Sequence, residues 1–395
     1  MIPFEHALQI VLDAATPSAI PCEMVSLEKA CGRILQQTVF ADRDMPPFNK
    51  SAVDGYACRY EDLETERPLR LLESISAGST PKYTVTQGCC CKVMTGAMVP
   101  QGAECVVMVE DTLEENGLIH YRGKKQPKPG ICLKGEDITS GTPLLTSGTL
   151  IQPTHLGLLS AVGNTTIQVA KKIKVGIIST GDELTEPWER PRTEQIRNSN
   201  SRLLMAQTKS AGALASYYGI ARDHVDSLAP LLSAAMEDNE LVIVSGGVSM
   251  GDYDIVPEVA KDLGFDILFD SVAVQPGKPT TFGVGSGVFF FGLPGNPVST
   301  FIQFELMVRP FINRLMGAHY TPLMFKLPLA HAYTRKNAER MAHLPATINA
   351  SGSCSLIDYH GSAHLSAFDR AKCLMRIQVG ATSISAGELV EIVLL

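Results

Sequence analysis

The stretch 241-LVIVSGGVSMGDYD-254 decides the architecture. Val242, Ile243 and Val244 are apolar on successive residues, so the strand they form is buried on both faces, as a central strand of a parallel sheet is. The pair Gly246-Gly247 then ends the strand, and the acid-bearing loop Asp252-Tyr253-Asp254 leads to a helix expected over 255–263.

Working outward, strand and helix patterns alternate. Strands are expected at 175–179, 215–221, 265–274 and 288–293, and helices at 200–211, 226–237 and 298–316. That alternation specifies a doubly wound, mostly parallel, three-layer α/β/α domain over 171–319. Before it, residues 4–15 and 27–35 show helical periodicity, and 138–170 lacks a core of its own and completes the same elongated N-terminal domain as 1–48. Between those pieces, 49–137 has short β runs at 91–95, 105–109 and 118–121 and reads as an inserted β-rich domain. β signals dominate again over 320–395, a small C-terminal β-barrel-like domain.

A chain of 395 residues exceeds what one core organises, and 45% hydrophobic with 19% charged residues is the composition of an ordinary globular protein. The net charge of -7 argues against nonspecific nucleic-acid binding, so an anionic ligand must be held by local donors. No run of about 18 apolar residues marks a membrane span, and 1–10 lacks a secretory pattern, so a cytoplasmic location is expected. The ten cysteines include no CxxC pair, which favours reduced structural thiols over a zinc site.

The chemistry gathers where strands end. Thr180-Gly181-Asp182-Glu183, Arg222-Asp223 and Ser245-Gly246-Gly247 with Ser249 and Asp254 follow three strands of the α/β domain, at the carboxyl edge where open α/β sheets bind ligands. Carboxylates brought together there resist ionisation unless a cation sits among them, and magnesium suits oxygen ligands and phosphate; Glu183, Asp223 and Asp254 are the candidate metal ligands. Each acid alone also fits a helix cap. Two lean loops, Pro276-Gly277-Lys278 and Pro294-Gly295-Asn296-Pro297, let backbone approach a ligand and add a helix N-terminus and a point charge for phosphate.

Standard phosphate signatures are absent: Pro279 stands where a P-loop needs Ser or Thr, and 283–287 is a hairpin turn. Gly247-Val-Ser249-Met-Gly251 fits a nucleophile elbow, with Asp270 and His331 following in suitable order, so a serine hydrolase is a remote alternative; the wide loop after Ser249 is unlike a tight elbow. Asp54, Thr95 and Asp137 lie in turns outside the α/β domain and carry little signal individually.

Taken in order, DMPPFNKSAVDGYA (44–57), VMTGAMVPQGAECVVMVE (93–110), GEDI (135–138), VGIISTGDEL (175–184), VSGGVSMGDYD (244–254), VQPGKPTTFG (274–283) and FGLPGNPVSTF (291–301) resemble the molybdopterin molybdenumtransferases, the MoeA and gephyrin E-domain family. The resemblance runs almost end to end and implies four domains. It implies insertion of molybdate into adenylylated molybdopterin with release of AMP, magnesium-dependent, at the last stage of molybdenum cofactor synthesis. It also implies that Asp54, Asp137, Glu183, Asp223 and Asp254 are the functional acids, with Thr95 beside them, and that the chain forms a homodimer bringing Asp54 and Thr95 to the cleft of the other subunit. Other cofactor-biosynthesis or acceptor enzymes would be partners. Gln275 replaces a lysine common among relatives, Cys132-Leu133-Lys134 replaces a more basic run, and Asp369-Arg370-Ala371-Lys372 departs from the usual Ala-Asn. These changes leave open a molybdopterin-binding or tungstate-handling paralogue without efficient molybdate insertion.

Overall fold

The computed structural model describes residues 1–16, 20–65, 67–123, 127–247, 255–285, 287–358 and 365–395. Ser249 and Asp254 lie outside the described residues. Chain contacts divide the molecule into two compact units. One comprises Met1–Gln37, Ser147–Gln152 and Thr166–Leu395; the other comprises Thr38–Thr146 and Pro153–Thr165.

The first unit is built on a six-stranded sheet in the order Leu214–Ala221, Lys174–Thr180, Leu241–Ser245, Val288–Leu293, Thr281–Gly285, Asp266–Phe269. The first four strands are parallel, Thr281–Gly285 runs against them, and the edge strand Asp266–Phe269 pairs antiparallel to Thr281–Gly285. Every residue of Leu241–Ser245 is buried, as its unbroken apolar run requires. Ile177, Ile243 and Phe291 pack into a core with Leu204 and with Phe304 and Phe311 of the last helical run. Val242, Val244 and Phe290 pack on the opposite side with Leu228 and Leu232 of helix Val225–Asp238 and Val259 of helix Val256–Asp262. The helix expected over 298–316 is continuous, from Pro297 to Leu315, and contains a π-helical segment at Phe304–Val308.

Two sequence expectations change. Residues 265–274 are not one strand: Asp266–Phe269 is the antiparallel edge of the sheet, while Val274–Gln275 pairs with Met341 and Ala342 of the C-terminal sheet. The chain is diverted between them, where Ser271 accepts from the Ile2 N–H and Val272 bridges Ile2. Likewise 27–35 is not a helix beyond the single 3-10 turn Leu27–Lys29. Gly32 adopts φ +75°, and the N–H groups of Gly32 and Leu35 donate to the carbonyls of Ile151 and Thr149, so tertiary bridging overrides the local pattern. The hairpin expected at 283–287 joins Thr281–Gly285 to Val288–Leu293.

In the second unit a six-stranded sheet runs Cys105–Met108, Gly55–Cys58, Cys89–Val93, Leu69–Ile75, Leu118–Tyr121, Thr112–Glu115. The alternation of a strand sends Cys90 into the core with Tyr56 and Ile119, and Cys91 into the core with Ile75 and Val93 on the other face. All ten cysteines are free thiols. Burial pushes Cys90 up to about 12 and Cys91 up to about 11, so both are inert packing groups near neutral pH.

Candidate functional site

The parallel strands Lys174–Thr180, Leu241–Ser245 and Val288–Leu293 deliver their carboxyl ends side by side, Ser179 opposite Ser245 and Ser245 opposite Leu293. A cavity of about 230 Å³ opens on that edge, lined by Thr180, Gly181, Glu183, Asp223, Gly246, Gly247, Pro279, Pro294, Gly295 and Asn296. An adjoining cavity of about 390 Å³ shares Thr180, Glu183, Gly295 and Asn296 and adds Ser245, Asn198, Asn200, Arg197 and Pro297. The strand-end loops therefore converge as the sheet order demands.

Glycine is required where backbone meets backbone. A Cβ on Gly246, which has φ +98°, would stand 2.5 Å from the Thr180 carbonyl; one on Gly247 would stand 3.0 Å from the Thr180 hydroxyl. Thr180 itself is 4% exposed, and its Oγ1 has no hydrogen-bond partner among the described residues. A buried hydroxyl without a partner is costly, and Thr180 is a lining residue of both cavities. The Oδ1 of Asn200 is also buried without a partner, while its Nδ2 donates to the Gly295 carbonyl at 2.7 Å.

Beneath the edge runs a buried polar chain. Ser245 Oγ donates to Ser179 Oγ (3.3 Å), Ser179 Oγ donates to Asn198 Oδ1 (3.2 Å), Asn198 Nδ2 donates to the Tyr217 hydroxyl (2.9 Å), and that hydroxyl donates to Glu186 Oε1 (2.8 Å). Burial, then the Glu186 carboxylate, raises the Tyr217 phenol, which keeps it a donor. Asp182 and Asp223 lock their turns reciprocally: each backbone N–H donates to the other's carboxylate, at 3.3 and 3.2 Å. Arg222 Nη1 donates to the carbonyls of Gly181, Asp182 and Leu184.

The second lean loop is fixed from the helix behind it. Gln303 Nε2 donates to the Pro276 carbonyl at 3.0 Å, and Thr280 Oγ1 donates to the Gly277 carbonyl at 2.7 Å. Pro276 and Gly277 are buried, whereas Lys278 and Gln275 are exposed; of this loop Pro279 lines the sheet-edge cavity.

In the β-rich unit, Asp54 and Thr95 come together. Asp54 Oδ1 accepts from the Thr95 N–H and hydroxyl, and those bonds, the N–H first, hold its carboxyl below the usual carboxylate range. Asp137 lies elsewhere in that unit, on a cavity of about 550 Å³ with Met45, Pro46, Pro47, Lys50, Cys132 and Glu136. Lys50 supplies a cation there, while Lys134 is turned to Asp44, 3.3 Å away.

The structure thus brings Glu183 and Asp223 to one cavity with Thr180, Gly181, Gly246, Gly247, Pro294, Gly295 and Asn296, and sets Ser245 and Pro297 beside them. Among the described residues no group of three acidic, His or Cys side chains is poised to hold a metal; Asp254 is outside that set. Sequence reasoning missed Asn198 and Asn200, since Asn198-Ser199-Asn200, a run of small polar residues opening a helix, reads as an ordinary cap.

Residues 2–163 match the family model "MoeA N-terminal region (domain I and II)", and residues 176–314 match "Probable molybdopterin binding domain". The chain is 33% identical to the molybdopterin molybdenumtransferase of Staphylococcus aureus (strain MRSA252) over 401 residues, covering 100% of this chain and 95% of the relative. It is 33% identical to the Staphylococcus epidermidis (strain RP62A) protein of the same name over 378 residues, 94% and 90% of the two chains. The crystal structure of the molybdopterin biosynthesis MoeA protein from Pyrococcus horikoshii OT3 superposes with a TM-score of 0.87 at 30% identity, covering 100% of both chains.

Proposed function

Since the chain belongs to the MoeA family of molybdopterin molybdenumtransferases, enzymes of molybdenum cofactor biosynthesis, we propose that it inserts molybdate into adenylylated molybdopterin with release of AMP. The observation that carries this reading is the orphaned, buried Thr180 hydroxyl on a cavity whose floor is the glycine pair Gly246-Gly247, a place made for a bulky phosphorylated ligand at the topological edge of the sheet.

In this reading the glycines admit the phosphates, Thr180 and Asn200 supply side-chain partners to the ligand, and the polar chain from Ser245 to Glu186 keeps the strand ends in fixed register. The reaction breaks the phosphoanhydride between the adenylyl group and the pterin phosphate, consuming one water and giving AMP and the pterin monophosphate; the two dithiolene sulfurs replace one oxo ligand of molybdate, which leaves with the two thiol protons as water. The donor set suits magnesium: Glu183 and Asp223 offer carboxylate oxygens and Thr180 a hydroxyl on one cavity. Bound there, magnesium would neutralise charge on the phosphates. Asp54, held ionised by Thr95, and Asp137 act from the β-rich unit, and we propose that they serve the partner's site in a homodimer located in the cytoplasm.

Purified protein given adenylylated molybdopterin, magnesium and molybdate should release AMP in proportion to molybdate added. Tight binding without AMP release selects a binding paralogue, which the uncharged, exposed Gln275 favours; release with tungstate alone selects the tungsten reading.

A further inference from the structure

A fourth cavity, of about 310 Å³, lies in the β-rich unit, and Asp62 lines it. Asp62 sits in the short helix Tyr60–Glu64 and is 4% exposed, yet its Oδ2 accepts no hydrogen bond among the described residues. A carboxylate oxygen removed from water without a donor is strongly disfavoured, so an isolated one in a cavity calls for an N–H or a cation from outside. Leu63, Leu69 and the ring of Tyr121 wall the cavity and are backed by the core around Tyr56 and Ile119.

Arg67 and Arg122 line the same cavity, are exposed, and make no side-chain hydrogen bond or ion pair among the described residues. Their charges disfavour a bare metal cation, which would also find a single carboxylate there. They favour a ligand that carries an anion at one end and N–H donors at the other. A volume of about 310 Å³ is at the small end of ligand pockets and suits a ring with a short phosphorylated tail.

We propose that this cavity binds a phosphorylated 2-amino-4-oxo heterocycle, the ring of a guanine nucleotide or a pterin phosphate. Asp62 accepts from the ring N–H and the adjacent exocyclic amine, the apolar walls cover the ring faces, and Arg67 and Arg122 hold the phosphate. Adenine is rejected because its corresponding edge turns a ring acceptor toward the carboxylate, leaving like partners opposed.

The test is calorimetric titration of the full chain with GMP, guanosine, AMP and a neopterin monophosphate. GMP should bind with a Kd below about 1 mM. Asp62→Asn should weaken GMP about tenfold or more and should not weaken AMP, whose ring acceptor no longer meets a carboxylate. Arg122→Ala, at an exposed position, should weaken GMP toward guanosine, and Arg67→Ala with Arg122→Ala should reduce GMP to the affinity of guanosine. The ratio of GMP to neopterin monophosphate affinity tells the two sources apart. No GMP binding up to about 1 mM, or GMP affinity unmoved by these substitutions, overturns the proposal. AMP release at the sheet-edge site is read separately, so failure here and failure of the insertase reading are distinguishable.

Discussion

The Oδ1 of Asp54 accepts from the Thr95 backbone N–H at 2.6 Å and from the Thr95 hydroxyl at 2.7 Å, so one residue grips one oxygen of the acid twice. Both bonds favour the ionised form, and the folded-state pKa is lowered. The stability this lends is complete above the ordinary carboxylate pKa and is lost as pH falls through the lowered value. Thr95→Val removes the hydroxyl but keeps the N–H, so the Asp54 carboxyl should titrate higher than in the parent yet still below an ordinary aspartate. A carbon-13 NMR titration of Asp54 reads this directly; an unmoved midpoint would show that the hydroxyl contributes nothing.

Thr180→Val separates folding from ligand binding. Its hydroxyl is buried without a partner, so the isosteric methyl should leave stability unchanged or raise it by about 1 kcal/mol. Affinity for adenylylated molybdopterin should drop about tenfold, the loss of one hydrogen bond to a charged group. Denaturant titration and equilibrium binding check the two halves, and a destabilised variant with parental affinity would contradict the assignment.

Asn198 is 1% exposed and is the middle link between Ser179 and Tyr217. Asn198→Ala leaves a buried hydroxyl on each side short of a partner and should cost about 1–3 kcal/mol. The measurable sign is a lowered urea midpoint that Tyr217→Phe in the same chain partly restores. Strict additivity of the two substitutions would mean that the chain of bonds does not act as one network.

Glu183→Gln should raise the magnesium concentration needed for half-maximal AMP release, and Asp223→Asn should do the same. Chelation with EDTA should stop release in the parent and magnesium should restore it. Each substitution removes one formal carboxylate charge from the cavity that both residues line. A parental magnesium dependence in both variants would remove these acids from any metal role.

Much of the α/β unit was legible because its signals are short in range. The unbroken Val242-Ile243-Val244 run fixed a doubly covered strand, and the residues after each parallel strand could be placed on one edge without knowing a single contact. The diversion of Val274–Gln275 into another sheet was not legible, because it depends on Ile2 and Met341, residues far away in the chain. The false helix at 27–35 failed for the same reason, its backbone donors being claimed by Thr149 and Ile151. In the site, glycines and acids announced themselves by type; Asn198 and Asn200 did not, since asparagine before a helix reads as an ordinary cap until its buried partners are seen.

Helix Phe4–Ala14 lies against parts of the chain that come last: Phe4 stacks on His343, with ring centroids 5.3 Å apart, and Glu5 pairs with Arg376. During synthesis, therefore, this helix lacks its His343 and Arg376 partners until those later residues have followed it. Thr38–Thr146 and Pro153–Thr165, which form a compact unit, can close while the ribosome is still translating the α/β region. A nascent chain stalled before residue 309 would lack both the helical segment Arg309–Leu315, on which helix Phe4–Ala14 packs, and the ring of His343 that meets Phe4, a natural point for a chaperone to engage it.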